Sequence, residues 1–353
     1  MALPVTIGFA RRMHGMIHLF ERLPQVDAVE TDAGARPAPP VRAEPLVGLI
    51  RNPRSHGHAR SGDGSDLPGV ITAAPSQRSE LPRILADFAA KRVDYIAIDG
   101  GDGTVRDVLS CGAGVFGDAW PTLILLPSGK TNALAYDLNV PRLWPLAQAL
   151  EAARRDSHVV RRPLVVAEAA DDRSQVRGFV LGAGVFTRSI SLGQDAHRYG
   201  AFNAAAVGVT ALWSVLQAFF GSAGNPWRRT SRMRLRLETG QELAHAGGAP
   251  ADERFMVFAS SLEGFPAGLK PFGDLKAPVR LAVLDNPRRS ILLRLPLIFR
   301  GHISPKVLRR GMHVEGGEEF AIELSESFIL DGEAFPPGHY RVFAGPRLRF
   351  VVP

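Results

Sequence analysis

The chemistry-bearing residues of this 353-residue chain are densest between positions 95 and 104. Tyr95 to Ile98 is an apolar run of strand length. It breaks into Gly100-Gly101-Asp102-Gly103-Thr104, and apolar residues resume with helical spacing at Val105, Val108 and Leu109. Glycines in such a strand-to-helix turn let the backbone approach a ligand closely. The free N–H groups and dipole of the helix start favour an anion such as phosphate. Gly100, Gly101 and Gly103 would supply N–H groups and Thr104 a hydroxyl. An acid among them, Asp102, makes sense beside phosphate when there is a metal ion or a proton to move. Taken alone, the stretch also fits a tight turn that binds nothing.

Three further places carry candidate groups. Asn52 follows the apolar run Leu46–Ile50 and suits either a nucleotide contact or a turn. Ser128-Gly129-Lys130-Thr131-Asn132 follows Leu123–Leu126. It looks like the tail of a P-loop, but position 124, where the first glycine is required, is Ile124, so it is no Walker A motif. Lys130 could still reach a phosphate as a point charge, or lie solvated on the surface. Asp331 and Glu333 sit two apart after Phe328-Ile329-Leu330, and on a strand edge both carboxylates would face the same way. Asp331-Gly332 is equally a hairpin signal.

Together these pieces resemble the diacylglycerol kinase catalytic-domain superfamily, which includes bacterial lipid kinases and the sphingosine and ceramide kinases. Asn52-Pro53-Arg54-Ser55-His56-Gly57 is similar to the family's Asn-Pro-x-Ser-Gly turn. Gly100 to Thr104 matches its Gly-Gly-Asp-Gly-Thr signature. Pro127 to Ala135 stands in the place of Pro-x-Gly-Thr-x-Asn-Asp-x-Ala, Leu181-Gly182-Ala183-Gly184-Val185-Phe186 resembles a glycine-rich strand of the second domain, and Asp331-Gly332-Glu333 its late Asp-Gly-Glu. The resemblance implies ATP and Mg²⁺ as cofactors, with Asn52, Gly100, Gly101, Gly103, Thr104, Ser128, Gly129, Lys130 and Asn132 on the nucleotide. It implies Asp331 and Glu333 as the general-base unit for a lipid hydroxyl, with Asp102 near the phosphates and Mg²⁺. Lys130 departs from the family's Thr and Ala133 from a common Asp. An Asp-rich structural metal site of some bacterial members would fall at Lys270–Lys276, where Asp274 is the single acid between two lysines.

The elements that must position these groups follow from periodicity. Leu46–Ile50, Val93–Ile98 and Leu123–Leu126 alternate with helical patterns at Ser79–Lys91, Val105–Ser110 and Leu143–Arg154, the rhythm of a parallel sheet covered by helices. After Leu164 short strand-like runs dominate. The expected fold is α/β: a Rossmann-like (NAD kinase/diacylglycerol kinase-like) nucleotide-binding domain over 46–163, then a β-sandwich domain over 164–353 for the lipid substrate. Residues 1–45 read as an extension and Pro/Ala-rich linker. Within them Phe9, Met13, Met16, Ile17 and Phe20 fall on one helical face. Ala201–Phe220 lacks charge and suits an amphipathic helix better than a spanning one.

Composition narrows the partners. Net charge is +7 and the sequence pI is about 10.0, with an arginine bias. No zinc spacing or RNA-binding signature accompanies the charge, so nucleic acid ranks last. Arg228, Arg229, Arg232, Arg234 and Arg236 crowd one stretch, and the last three alternate with Met233, Leu235 and Leu237 on one strand face. That face is either solvated or attracted to an anionic membrane surface. A single cysteine, Cys111, reads as packing rather than chemistry. The leading expectation is an ATP-dependent lipid kinase in the cytoplasm, with peripheral contact to the inner membrane face left open. An NAD kinase and a non-catalytic lipid- or nucleotide-binding module are the alternatives.

Overall fold

The computed structural model describes residues 10–12, 18–26, 42–53, 67–129, 131–188, 228–247 and 250–353. Val47–Arg51, Tyr95–Gly100 and Thr122–Pro127 lie side by side and parallel in a six-stranded sheet. Its order is Val70–Ala73, Val47–Arg51, Tyr95–Gly100, Thr122–Pro127, Leu348–Val351, His158–Arg161. Leu49, Ile50, Ile96, Ile98, Leu123 and Ile124 are fully enclosed, as expected of parallel strands covered on both faces.

Helix α1 (Leu81–Ala90) buries Leu81, Leu85 and Phe88, spaced four and three apart on one face. The Phe88 ring lies over Gly48, where a Cβ would come within 2.4 Å of it, so a glycine lets the helix approach its strand. Helix α2 (Asp102–Phe116) starts inside the glycine turn and ends at Gly117, whose φ is 53°. Short α3 (Ala133–Asp137) and α4 (Leu146–Arg154) complete this layer.

The chain places Val70–Ala73 on one side of Val47–Arg51 and then Tyr95–Gly100 on the other. Such a reversal opens a crevice beyond the carboxyl ends of the strands, where ligands of open α/β sheets bind. Asn52 and Gly100 stand at that point. The sheet thus delivers the first two motifs to one place.

The second unit is two antiparallel sheets packed face to face. One contains Val180–Gly184, Met256–Ser260, Val279–Leu284, Met312–Gly317, Phe328–Leu330 and Glu333–Phe335; the other contains Leu164–Glu168, Asp171–Gly178, Ser231–Leu237, Glu319–Leu324 and Gly338–Ala344. Val166, Leu235, Ile322 and Val342 of one sheet meet Leu181, Val257, Leu281 and Phe328 of the other in a continuous core. This is the expected β-sandwich after an α/β domain. Alternation along Ser231–Leu237 is as read: Met233 and Leu235 point inward, and Arg232, Arg234 and Arg236 are exposed.

Two expectations need correction. The last strand, Leu348–Val351, leaves the sandwich and pairs between Thr122–Pro127 and His158–Arg161, so the 164–353 unit ends earlier than its boundary. Its apolar residues Leu348 and Phe350 fill the first core, which a local reading has no means to tell from the second. The 1–45 segment is not only a linker: Ala10–Arg12 and His18–Phe20 are antiparallel strands on the sandwich, not a helix. Phe20 stacks on Phe335 with centroids 4.8 Å apart, and Leu23 is buried beside it. Among the short runs after Leu164, Asp171–Gly178 and Val180–Gly184 are separate strands that meet at Phe179. Phe9, Met13, Met16, Ile17 and Ala201–Phe220 lie outside the described residues. Among the described residues no helix is long and apolar enough to cross a membrane.

Candidate active site

The glycine turn is built by two backbones in contact. A Cβ on Gly129 would lie 2.4 Å from the Gly101 Cα, and one on Gly101 would lie 2.9 Å from the Gly129 Cα. Only glycine at both positions allows the Gly100–Thr104 and Ser128–Asn132 loops to meet. The Ser128 N–H donates to the Gly100 carbonyl at 3.1 Å, and its hydroxyl has no hydrogen-bond partner among the described residues. Gly103 differs: its nearest neighbour is the Arg106 guanidinium, 3.7 Å from where a Cβ would stand.

Polar side chains then lock the loops. Asn132, at φ 54°, accepts from the Gly129 N–H at 3.1 Å and donates to the Gly129 carbonyl at 2.8 Å. Asn52 Nδ2 donates to Thr104 Oγ1 at 3.0 Å, tying the first turn to the second. Asp102, at the first residue of α2, accepts from the N–H groups of Ala133 (3.0 Å) and Leu134 (3.3 Å) and so caps α3. Burial raises the Asp102 carboxyl above its usual range, and these backbone bonds offset part of that.

Asp331 reaches this site from the sandwich. Asp331 and Gly332 have φ of 46° and 84°, forming a two-residue hairpin turn between Phe328–Leu330 and Glu333–Phe335. The two acids therefore do not share a strand edge, because Asp331 occupies the turn and Glu333 begins the next strand. The Asp331 carboxylate accepts from the N–H groups of Phe179 (3.0 Å) and Val180 (2.9 Å), the junction noted above. Gly178 leaves room for it; a Cβ there would lie 2.4 Å from Oδ2. Burial first, and the Asp102 charge second, push Asp331 up to about 7. The two carboxylates from different domains thus feel one another.

Arg106 is the residue the sequence reading missed. It lies one turn beyond Asp102 on α2 and is 2 % exposed. Its Nη1 donates to the carbonyls of Leu330 (3.3 Å) and Asp331 (3.4 Å), and its Nη2 lies 2.9 Å from Asp107 and 3.6 Å from Glu333. Burial disfavours its charge, but Asp107 and Glu333 more than restore it, so its pKa rises. Ser110, one turn further on, accepts from the Arg177 N–H at 2.9 Å. One helix thereby carries the glycine turn at its start and grips the Asp331 hairpin and the Arg177 backbone along its length. The available signal was the four-residue spacing of Asp102, Arg106 and Ser110, which places them on one helix face.

Residues 69–162, which contain two of the glycine loops, match the family model of the diacylglycerol kinase catalytic domain. The resemblance read from the motifs holds. A solved structure of a "putative diacylglycerol kinase from Bacillus anthracis str. Sterne" is 16% identical with a TM-score of 0.61, covering 89% of this chain and 99% of that one. A second, of the same description and organism, is 17% identical at the same TM-score and coverage. A third, of "a diacylglycerol kinases" from that organism, is 15% identical with a TM-score of 0.57, over 89% and 98% of the two chains. These likenesses establish the shared fold along both units. No curated protein matches the sequence.

Lys130 and Arg54 to Gly57 lie outside the described residues. Asp274 pairs with Lys270 at 3.3 Å, and no group of three His, Cys, Asp or Glu residues forms a metal site among the described residues. Cys111 sits on α2 with its thiol raised by burial, consistent with packing.

Proposed function

We propose that this protein is an ATP-dependent lipid kinase that transfers the γ-phosphoryl group to a hydroxyl of diacylglycerol, a sphingoid base or a related lipid. The observation that carries the reading is Asp331, a carboxylate raised to about 7 and delivered from the sandwich towards the Gly100–Thr104 turn. A general base works best with a pKa near the operating pH. Phosphoryl transfer otherwise asks for cradled phosphates and neutralised charge.

In this reading the N–H groups of Gly100, Gly101 and Gly103, with the Ser128 and Thr104 hydroxyls, cradle the nucleotide, while Gly129 lets its loop close on Gly101. Lys130 places a cation on its phosphates. Asn52 and Asn132 keep the loops in register, and Asp331 takes the proton of the attacking hydroxyl while Arg106 and Glu333 fix the hairpin. Mg²⁺ usually binds through one or two carboxylates plus substrate phosphates, and the donor set fits that pattern rather than an all-protein cage. Asp102, at the start of α2 beside the turn, would hold it. The ion would supply charge neutralisation at the phosphates.

The reading is tested with γ-labelled ATP, Mg²⁺ and a panel of diacylglycerol, sphingoid bases, ceramide and NAD. Label is expected in an organic-extractable product. Label in NADP with none in lipid would assign the protein to NAD kinase chemistry instead.

A further inference from the structure

Between Asp285 and Glu315 the chain carries no acidic residue, while Arg288, Arg289, Arg294, Arg300, Lys306 and Arg309 fall within it. The segment forms the short helices Arg289–Leu292, Leu295–Ile298 and Pro305–Leu308. Its inner side is anchored: Ile291, Ile298 and Val307 are buried with Phe255 and Phe272. Its outer side is apolar where a water-facing surface should not be. Leu293 is 67% exposed, Leu297 50%, Phe299 38% and Leu308 39%. Leu293 and Leu297 are four apart along a nearly continuous helical path, so they share a side.

Leu269, 41% exposed, joins this patch, because the Lys270 N–H donates to the Phe299 carbonyl at 2.7 Å. The preceding turn, Pro266–Gly268, packs against α3, whose Tyr136 is itself 47% exposed. The apolar surface therefore runs from the helices towards the loops that hold the candidate active site. Arg300, Lys306 and Arg309 flank it, exposed and without an ion-pair partner among the described residues. Large leucines and phenylalanine amid cations, with no acid in the segment itself and the nearby Asp274 paired with Lys270 at 3.3 Å, are the composition of a surface that lies on anionic lipid. The Arg232–Arg236 face is different in kind: Arg232 stands 3.7 Å from Asp252 and Arg234 3.9 Å from Glu242, so much of its charge is matched within the protein.

We propose that residues 288–309 are the docking surface for an anionic bilayer, with Leu293, Leu297 and Phe299 entering the interface and Arg300, Lys306 and Arg309 meeting headgroups. This deepens the lipid-kinase reading by naming how the enzyme reaches its acceptor, and docking is measured without catalysis. Full-length protein is floated with phosphatidylcholine vesicles, with and without phosphatidylglycerol, in low and high salt, with no ATP present. Binding is expected only to the anionic vesicles and is expected to weaken as salt rises. Leu293→Asp/Leu297→Asp should abolish it. Arg300→Glu/Lys306→Glu should weaken it at least about tenfold, since each cation near the surface is attracted individually. Arg232→Glu/Arg234→Glu should leave it unchanged.

All four leucine and cationic positions are exposed, so the variants should melt with the parent and phosphorylate detergent-dispersed lipid as it does. Vesicle binding unchanged in the leucine variant, or absent in the parent, overturns the proposal. So does a dimer that the leucine variant disperses in the absence of any vesicle binding, which would make the patch a self-association surface. Docking without phosphorylation of any lipid would leave the surface standing and remove the kinase reading; phosphorylation in detergent without docking would do the reverse.

Discussion

Arg106 reaches across the seam between the two domains to the Asp331 carbonyl, 3.4 Å from its Nη1, while Asp102 begins the same helix at the glycine turn. The glycine turn and the Asp331 hairpin are thus joined through one helix rather than through a loop. Arg106 is enclosed, so its removal takes the guanidinium beside Glu333 and the donor on the Leu330 and Asp331 carbonyls, although Asp107 keeps Arg78 at 3.4 Å. Arg106→Ala should destabilise the fold by about 3–5 kcal/mol, the usual effect of breaking a buried pair. Arg106→Lys keeps charge but loses the fork, and should recover stability only in part. Denaturant midpoints for the three proteins check this.

The Asp331 carboxyl gives opposite pH signs to activity and stability. Its folded value of about 7 lies above the ordinary unfolded value of about 3.9. Between those values the folded state binds the extra proton, so this group's contribution falls as pH rises from about 4 through about 7 and is flat above. Turnover moves the other way, because a base acts only when deprotonated, and should climb through about pH 7 to a plateau. In Asp331→Asn both dependences on this group should vanish. A pH profile of kcat beside a pH series of melting temperatures shows whether they do.

Asp102→Asn separates two roles of one carboxylate. The amide can accept only one of the two α3 N–H bonds well, and a weakened cap costs about 0.5–2 kcal/mol. With the Asp102 charge gone, the repulsion that helps raise Asp331 is gone too, so without Mg²⁺ the midpoint of the Asp331 carboxyl should shift to lower pH, while turnover should fall with the lost Mg²⁺ ligand. A midpoint that stays in place would mean that the two carboxylates are not coupled.

The glycines should sort by what stands beside them. Gly129→Ala drives a Cβ into the Gly101 backbone and should disrupt the loops, seen as lost ATP binding together with a lower melting temperature. Gly103→Ala has room within the protein, so its fold should survive. A loss of ATP affinity there would mark the space as the ligand's. Lys130→Ala should weaken ATP use by roughly 10- to 1,000-fold, the range for losing one charged transition-state contact.

Much of this architecture can be read from the chain. The apolar runs before Asn52, Gly100 and Ser128 are strands, and each ends at the crevice because parallel strands present their carboxyl ends together. Asp331-Gly332 signals its hairpin through residues that tolerate positive φ. Other features depend on distant packing. Leu348–Val351 is an ordinary alternating strand, and only the vacant place beside Thr122–Pro127 decides its sheet. Arg106 looks like a solvated helix residue until Leu330 and Asp331 cover it. The exposed leucines of 293–308 sit among apolar residues with the same local pattern, and which ones face outward is set by the sandwich beneath.

In the proposed reaction Asp331 serves transfer of phosphate to lipid and not the holding of nucleotide. Single-turnover transfer from γ-labelled ATP to an organic-extractable product, measured with ATP affinity in the parent and in Asp331→Asn, tests it most directly. The expected result is unchanged ATP affinity with transfer lower by about 10²–10⁴-fold, the usual contribution of a positioned base. Normal transfer by Asp331→Asn would contradict the account and move the base to another group, with Asp102 the first to examine.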